Sequence, residues 1–129
     1  MSNARVLVVD DDDLQREVVA DLLSSEGYVV DVAGSGAEAL ATARATPPDV
    51  LVLDLLLPDT DGATVLAALR AQPGLGALRV LVTTAVRSSS VRRLPGVDAA
   101  LFKPFGPREL LTAIAAVTEG DLERRGPAT

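Results

Sequence analysis

The sequence predicts an α/β fold in which helices cover both faces of a five-stranded parallel sheet. Three runs rich in Val and Leu do not alternate with polar residues, which is typical of strands buried on both faces: 6–9, 50–53 and 80–82. Segments with apolar residues at helical spacing separate these runs, and parallel strands need such crossovers. The 129 residues suffice for one ordinary domain.

Strands and helices alternate along the chain, beginning with a strand. Two weaker strands complete the predicted set of five, at 28–33 and 99–102. Apolar stripes at helical spacing predict helices over 14–23, 35–44, 65–69 and 107–117. Ser35 and Glu38 have the spacing of a capping box at the start of the second helix. The result is a doubly wound (βα)5 architecture.

A domain boundary is predicted at residue 118. Residues 119–129 are polar and contain Gly and Pro, so we expect a C-terminal tail or linker after a domain of residues 1–118. No further domain is visible after the last predicted helix. Both a stand-alone domain and a fragment of a longer protein therefore remain open.

The composition excludes several kinds of chemistry. Cys and His are absent, which removes disulfides, thiolate and imidazole metal ligands, His-based triads and phosphohistidine carriers. A net charge of -6 argues against nonspecific electrostatic binding to nucleic acid or to an anionic membrane. No apolar run is long enough to span a membrane and no signal-peptide pattern opens the chain, so a cytoplasmic location is expected.

Acidic side chains follow the first and third strands. The first strand leads into Asp10 and Asp11, within a run of four Asp, and the third ends in Asp54. In the flavodoxin-like strand order 2-1-3-4-5, the carboxyl ends of these strands meet at the switch point where ligands bind. Clustered carboxylates repel each other, and a hard cation such as Mg²⁺ relieves that repulsion. The sequence therefore predicts a divalent metal beside a carboxylate that can become an aspartyl-phosphate.

Two further strand ends carry groups suited to phosphoryl transfer. The fourth strand ends in Thr84, which offers a hydroxyl, and the fifth in Lys103, the only Lys beside eleven Arg. Because the other basic residues are all Arg, the single Lys indicates a role that suits a compact, flexible ammonium better than a guanidinium. The rest of the acidic run has structural interpretations: Asp13 is expected to cap the first helix, and Asp12 to be solvated.

These motifs together resemble the receiver domains of two-component response regulators. Over residues 5–118 four matching stretches stand in that family's order: VLVVDDDD, DVLVLDLLLPDTDG, VLVTTA and LFKPF. The resemblance implies a role for each residue that matches the family's motifs. Asp54 matches the phosphoacceptor, Asp11 the direct metal ligand, Asp10 the acid that holds metal-bound water, Leu56 the backbone carbonyl ligand, Thr84 the activating hydroxyl, Lys103 the lysine that pairs with the phosphoryl group, and Lys103–Pro104 the cis peptide.

The resemblance also implies the cofactor and the partners. The metal is Mg²⁺ or Mn²⁺, and the phosphoryl donor is a sensor histidine kinase or a phosphotransfer domain. The domain is then not an enzyme, apart from self-phosphotransfer and slow self-dephosphorylation. Direct contacts with nucleic acid or a membrane are not expected. The downstream protein or fused output domain, and any self-association linked to phosphorylation, stay open.

Three departures from the family pattern bear on signalling. The family's switch aromatic lies three residues before the lysine, where this chain has Ala100. Either Phe102, on the same strand face, partly fills that space, or the switch is altered. The stretch 84–96 is short and rich in Ser, so the fourth helix is expected to be short or irregular. Leu56 and Val86 flank the acceptor with apolar groups, which predicts slow self-dephosphorylation.

Two alternative functions remain at this stage. A receiver-like interaction module that signals without phosphate would fit Ala100 and the short fourth helix. A haloacid-dehalogenase-type phosphatase would fit a D-x-D pattern within 10–13. Its nucleophile would lie on the first strand, however, and that scheme leaves Asp54 unexplained.

Overall fold

The sheet has the predicted topology. The computed structural model describes residues 4–125, apart from the side chains of Ser89, Arg92 and residues 119–125. All five strands are parallel and stand in the order β2-β1-β3-β4-β5. Their bounds are β1 (Arg5–Val9), β2 (Val29–Ala33), β3 (Val50–Asp54), β4 (Arg79–Thr84) and β5 (Ala99–Phe102). The predicted fold class and strand order are confirmed.

Four α-helices and one short 3-10 helix connect or follow the strands. Their bounds are α1 (Asp13–Ser25), α2 (Gly36–Ala45), α3 (Gly62–Arg70), the 3-10 helix η1 (Ser89–Arg93) and α4 (Pro107–Arg125). The short, irregular element expected between β4 and β5 is therefore η1. Helix α4 continues past the predicted boundary at 118, and residues 126–129 lie outside the described part. Within that part, no helix is both long and apolar enough to cross a membrane.

The core consists of two layers, one on each face of the sheet. Leu7, Leu51 and Leu53 pack with α2 and α3 on one face, and each is at most 1% exposed. Val6 and Val8 point to the opposite face, toward α1 and α4. Because successive strand residues point to opposite faces, a strand covered on both sides must be apolar at every position. This explains the uninterrupted apolar runs of the sequence.

The cap of α1 is Asp12 and not Asp13, so the sequence prediction was wrong by one residue. Asp12 has an extended backbone, and its Oδ1 accepts a hydrogen bond from Gln15 N–H at 3.0 Å. Asp13 already lies in the first helical turn, where its carboxylate pairs with Arg16 Nη2 at 2.6 Å. The expected solvation of Asp12 agrees with its exposed side chain. The predicted cap of α2 is confirmed, because Ser35 Oγ accepts from Glu38 N–H at 3.2 Å.

Gly62, the first residue of α3, packs against the chain just after β3. A Cβ atom at this position would lie 2.8 Å from Leu55 Cα, a backbone atom that cannot move aside alone. We expect Gly62→Ala to lower the free energy of unfolding by about 1–3 kcal/mol, measured by urea denaturation. The matched control is Gly76→Ala, where a Cβ meets nothing within 4 Å. Equal losses in the two variants would contradict the packing explanation.

Candidate functional site

The carboxyl ends of β1 and β3 bring three carboxylates together. Asp10 directly follows β1, Asp54 ends β3, and the two strands pair up to Val9 and Leu53. Asp10 and Asp54 are each 5% exposed, whereas Asp11 is exposed at the rim. One carboxylate oxygen from each of the three residues lies within 4.8 Å of the others. The strand order thus produces the acidic cluster that the spacing of the sequence suggested.

Lys103 bridges the two buried carboxylates. It follows β5, and its backbone N–H donates to Thr84 O at 2.8 Å. Its Nζ lies 3.1 Å from Asp10 Oδ2 and 3.1 Å from Asp54 Oδ2. The attraction between two desolvated charges offsets the cost of their desolvation only where the geometry is good and hydrogen bonds satisfy both partners. A single ammonium therefore joins the ends of three strands.

Backbone N–H groups hold the remaining carboxylate oxygens. Asp54 Oδ1 accepts a hydrogen bond from Leu56 N–H at 3.1 Å. Asp10 Oδ1 accepts one from Asp12 N–H at 3.0 Å. Each buried carboxylate thus has one oxygen on a backbone donor and one on Lys103, which fixes its orientation. Neither donor could be predicted from the sequence, because a main-chain N–H has no signature in the residue type.

The charges of the site are unbalanced. Burial raises the pKa of Asp54 above its ordinary value, although the Leu56 N–H and the Lys103 ammonium lower it in part. Burial also acts to lower the pKa of Lys103, but the hydrogen bonds and charges of Asp10 and Asp54 outweigh it and raise that pKa. Lys103 is therefore an ammonium at neutral pH. One positive charge against the three clustered carboxylates leaves the site negative.

The donor set fits a hard divalent cation. Three carboxylates with oxygens within 4.8 Å of each other, one of them exposed, offer the oxygen ligands that Mg²⁺ and Mn²⁺ prefer. A cation there would also offset the negative charge that Lys103 leaves uncompensated. The predicted metal role of the Leu56 carbonyl stays a prediction. Leu56 itself lies in the loop after β3, where it pairs with Asp61 in an isolated antiparallel bridge.

Thr84 lies at the end of β4 but its hydroxyl is engaged elsewhere. The residue is 1% exposed, and its Oγ1 accepts a hydrogen bond from Val86 N–H at 3.1 Å. The structure therefore places Thr84 on the predicted edge of the sheet with its side chain bonded to the next loop. Because Oγ1 only accepts in this bond, the hydroxyl can still donate its own hydrogen, and its predicted activating role stays a prediction.

The switch region contains a contact that the sequence did not indicate. Ala100 is buried at 8% exposure, and Phe102 packs on the same face against the same core cluster. The guanidinium carbon of Arg87 lies 5.5 Å from the centroid of the Phe102 ring, which is a cation–π distance. The Lys103–Pro104 peptide is cis, as the resemblance implied. Whether Phe102 takes the place of the missing aromatic stays a prediction.

The chain matches a known protein family over most of its length. A family model described as "Response regulator receiver domain" matches residues 6–115. The chain belongs to the receiver family. The probable transcriptional regulatory protein TcrX of Mycobacterium tuberculosis is 39% identical over 125 residues, covering 96% of this receiver and 52% of that protein. The response regulator MprA of Mycobacterium ulcerans is 42% identical over 119 residues, covering 89% of this receiver and 50% of that protein.

Solved structures agree with the receiver assignment. The chemotaxis response regulator CheY4 of Vibrio cholerae superimposes with a TM-score of 0.85 at 33% identity, covering 90% of this chain and 99% of that one. A receiver domain protein from Methanospirillum hungatei gives 0.85 at 31% identity, covering 95% and 99%. The receiver spans about half the length of the curated relatives it matches. These relatives are named as regulators, some of them DNA-binding, and not as enzymes.

Proposed function

We propose that this receiver is the phosphoacceptor switch of a two-component phosphorelay, with Asp54 as the acceptor. The observation that carries the proposal is the position of its carboxylate, buried beside Asp10 and Asp11 and held by the only lysine of the chain. The donor is a phosphohistidine of a sensor histidine kinase or phosphotransfer domain. Receiver family membership favours this function over the phosphatase alternative, which would need its nucleophile on β1.

The proposed reaction transfers one phosphoryl group. An oxygen of Asp54 attacks phosphorus and forms a P–O bond while the P–N bond to the donor imidazole breaks. The electron pair of that bond goes to the imidazole nitrogen, which takes a proton from solvent. Little covalent chemistry is left to the protein, so its contribution is position and charge.

Each group of the site has a part in this proposal. Asp10, Asp11 and Asp54, with the Leu56 carbonyl, would hold Mg²⁺ or Mn²⁺, which when bound neutralises charge on the phosphoryl oxygens. Lys103 keeps its ammonium beside the acceptor, where it can pair with those oxygens after transfer. Thr84, whose Oγ1 accepts from Val86 N–H, would donate its hydroxyl hydrogen to the phosphoryl group.

The setting of the switch is also part of the proposal. The receiver acts in the cytoplasm, where the kinase or phosphotransfer domain meets it, and has no catalytic turnover beyond its own phosphorylation and slow dephosphorylation. It makes no direct contact with nucleic acid or membrane. Its output passes to a downstream protein or to a fused domain, and phosphorylation-linked self-association is a candidate step.

The decisive experiment combines a small phosphodonor with intact mass measurement. We expect incubation with Mg²⁺ and acetyl phosphate to add one phosphoryl group to the wild type and none to Asp54→Asn. No addition to the wild type would instead support an interaction module that works without phosphate. Steady phosphomonoester turnover, kept in Asp54→Asn and lost in Asp10→Asn, would support a phosphatase.

The lifetime of the phosphoryl group depends on the two residues that flank Asp54. Leu56 and Val86 are 61% and 51% exposed, so their effect rests on lacking a polar group to orient an attacking water and not on burial. We expect Leu56→Asn to shorten the phosphoryl half-life several-fold, followed by mass spectrometry after removal of the donor. Val18→Asn, a like substitution at an exposed position of α1 (47% exposed), is the control. An unchanged half-life in Leu56→Asn contradicts the prediction.

A further inference from the structure

The loop over residues 55–61 is bound to the start of α2. Asp59 Oδ1 accepts a hydrogen bond from Gly36 N–H at 2.9 Å, and Asp59 Oδ2 accepts one from Ala37 N–H at 3.0 Å. The first N–H groups of a helix have no partner within the helix, and a negative charge is favoured there. These bonds hold the pKa of Asp59 below its usual value, so the residue is ionised at neutral pH. The loop that follows Asp54 therefore has an anchor on a helix more than twenty residues away in sequence.

Helix α2 does not depend on Asp59 alone for its cap. Ser35 Oγ already accepts from Glu38 N–H at 3.2 Å, and the Glu38 carboxylate accepts from Gly34 N–H. The local segment thus has a cap of its own, as the sequence predicted. Asp59 adds a connection between the helix and the loop that no local cap can supply.

Gly36 makes the close approach possible. A Cβ atom there would lie 2.5 Å from Thr60 Cγ2 and 2.9 Å from Val65 Cγ2. Distances of this kind exclude any larger residue without a shift of the loop or of α3. The loop is therefore held by hydrogen bonds at Asp59 and by contact at Thr60.

The other end of the loop is fixed at α3. Gly62 N–H donates to Leu55 O at 2.9 Å, and Asp61 Oδ1 accepts from Thr64 N–H at 2.8 Å as the cap of α3. Leu56 lies between Leu55 and Asp59, two loop residues held by these bonds, and donates its N–H to Asp54 Oδ1 at 3.1 Å. The position of this donor depends on a loop fixed at both ends.

We propose that Asp59 is a positioning residue for the acceptor site, acting through α2 to hold the Leu56 backbone against Asp54. It touches no reacting atom. Its effect is to keep the Leu56 N–H on the Asp54 carboxylate, and with it the orientation of the peptide whose carbonyl is proposed as a metal ligand. This inference rests on the proposed function for its biological meaning, but its structural content is independent of phosphate.

The test compares Asp59→Ala with Ser35→Ala. Each variant removes a hydrogen-bond acceptor from the start of α2, but only the first releases the loop. We expect Asp59→Ala to weaken Mg²⁺ binding on the order of 10-fold, measured by calorimetry, as outer partners of metal sites do. Faster hydrogen exchange of the Leu56 amide, measured by NMR, should accompany it. Ser35→Ala should leave both quantities close to wild type.

Asp59→Asn is a milder substitution at the same position. Its amide oxygen can accept one of the two N–H groups, so the effects on Mg²⁺ affinity and Leu56 exchange should be intermediate. If Asp59→Ala does not fold, Asp59→Asn against Ser35→Ala carries the comparison. Equal effects of the Asp59 and Ser35 variants on both readouts would overturn the inference.

The failure of the proposed function would look different. A wild type that takes no phosphoryl group, with Leu56 exchange still accelerated by Asp59→Ala, would refute the phosphoacceptor function and keep the positioning role. A wild type that accepts phosphate, with Leu56 exchange unchanged by Asp59→Ala, would support the phosphoacceptor function and refute the positioning role.

Discussion

Lys103→Met is expected to lower the free energy of unfolding by about 2–3 kcal/mol in metal-free buffer at neutral pH. The substitution leaves Asp10 and Asp54, each 5% exposed, as neighbouring carboxylates without the ammonium that both contact at 3.1 Å. The Lys103 side chain is 24% exposed, so water partly replaces it and the loss stays below that of a fully buried pair. Urea denaturation measures the change.

The stability lost in Lys103→Met should depend on pH and on metal. The folded pKa of Lys103 is raised, so its contribution is complete below the unfolded pKa and disappears only as pH rises through the folded pKa, in strongly alkaline solution. In acid the difference in the free energy of unfolding between wild type and Lys103→Met should shrink, because one carboxylate of the pair takes up a proton and the repulsion between Asp10 and Asp54 falls. Mg²⁺ should reduce it as well, by supplying the missing positive charge.

The control for Lys103→Met is Arg44→Met. Arg44 is an exposed cation in the last turn of α2, so it represents the same loss of charge without a buried partner. We expect a change within about 0.5 kcal/mol for this variant. A similar loss in both variants would show that Lys103 does not stabilise the carboxylate pair.

Asp54→Asn is expected to raise stability slightly without metal and to remove most of the stabilisation by Mg²⁺. Because burial raises the pKa of Asp54, stability falls as pH rises from the unfolded to the folded pKa, and above the folded pKa the ionised group carries the full cost. Asn has no such cost. For the wild type, Mg²⁺ at about tenfold its dissociation constant should add about 1.4 kcal/mol.

The matched control is Asp12→Asn. It also removes one carboxylate near the site, but Asn caps a helix about as well as Asp, and Asp12 is not part of the acidic cluster. Thermal or urea unfolding with and without Mg²⁺ gives the comparison. If Mg²⁺ stabilises Asp54→Asn as much as it stabilises Asp12→Asn, the metal does not bind at Asp54.

Much of the fold could be predicted because its strands are covered on both faces. Strands such as 50–53 show this as unbroken apolar runs, and parallel pairing then limits the order of the sheet. The extent of α4 was not predicted, because the apolar spacing that indicated this helix in the sequence was followed only to Val117, while the backbone remains helical to Arg125. The polar composition of 119–125 favoured a tail over a helix.

The candidate site likewise has parts that the sequence predicts and parts that it does not. Asp10, Asp54 and Lys103 could be predicted to meet, since their side chains follow strands that end at one edge. The cap within 10–13 could not be identified, because four identical residues differ only in backbone conformation. The bonds from Asp59 to α2 depend on how closely two distant loops approach, which no local pattern records.

The bridge made by Lys103 has a consequence for the order in which the protein folds. It joins Asp10 and Lys103, which are 93 positions apart, and Asp54 and Lys103, which are 49 apart. Contacts of such long range form late, because the intervening chain must first be ordered. On the ribosome the acceptor would therefore stay incomplete until the fifth strand has emerged and paired. Under the proposed phosphoacceptor function, a chain without its fifth strand would lack the Lys103 ammonium beside Asp54.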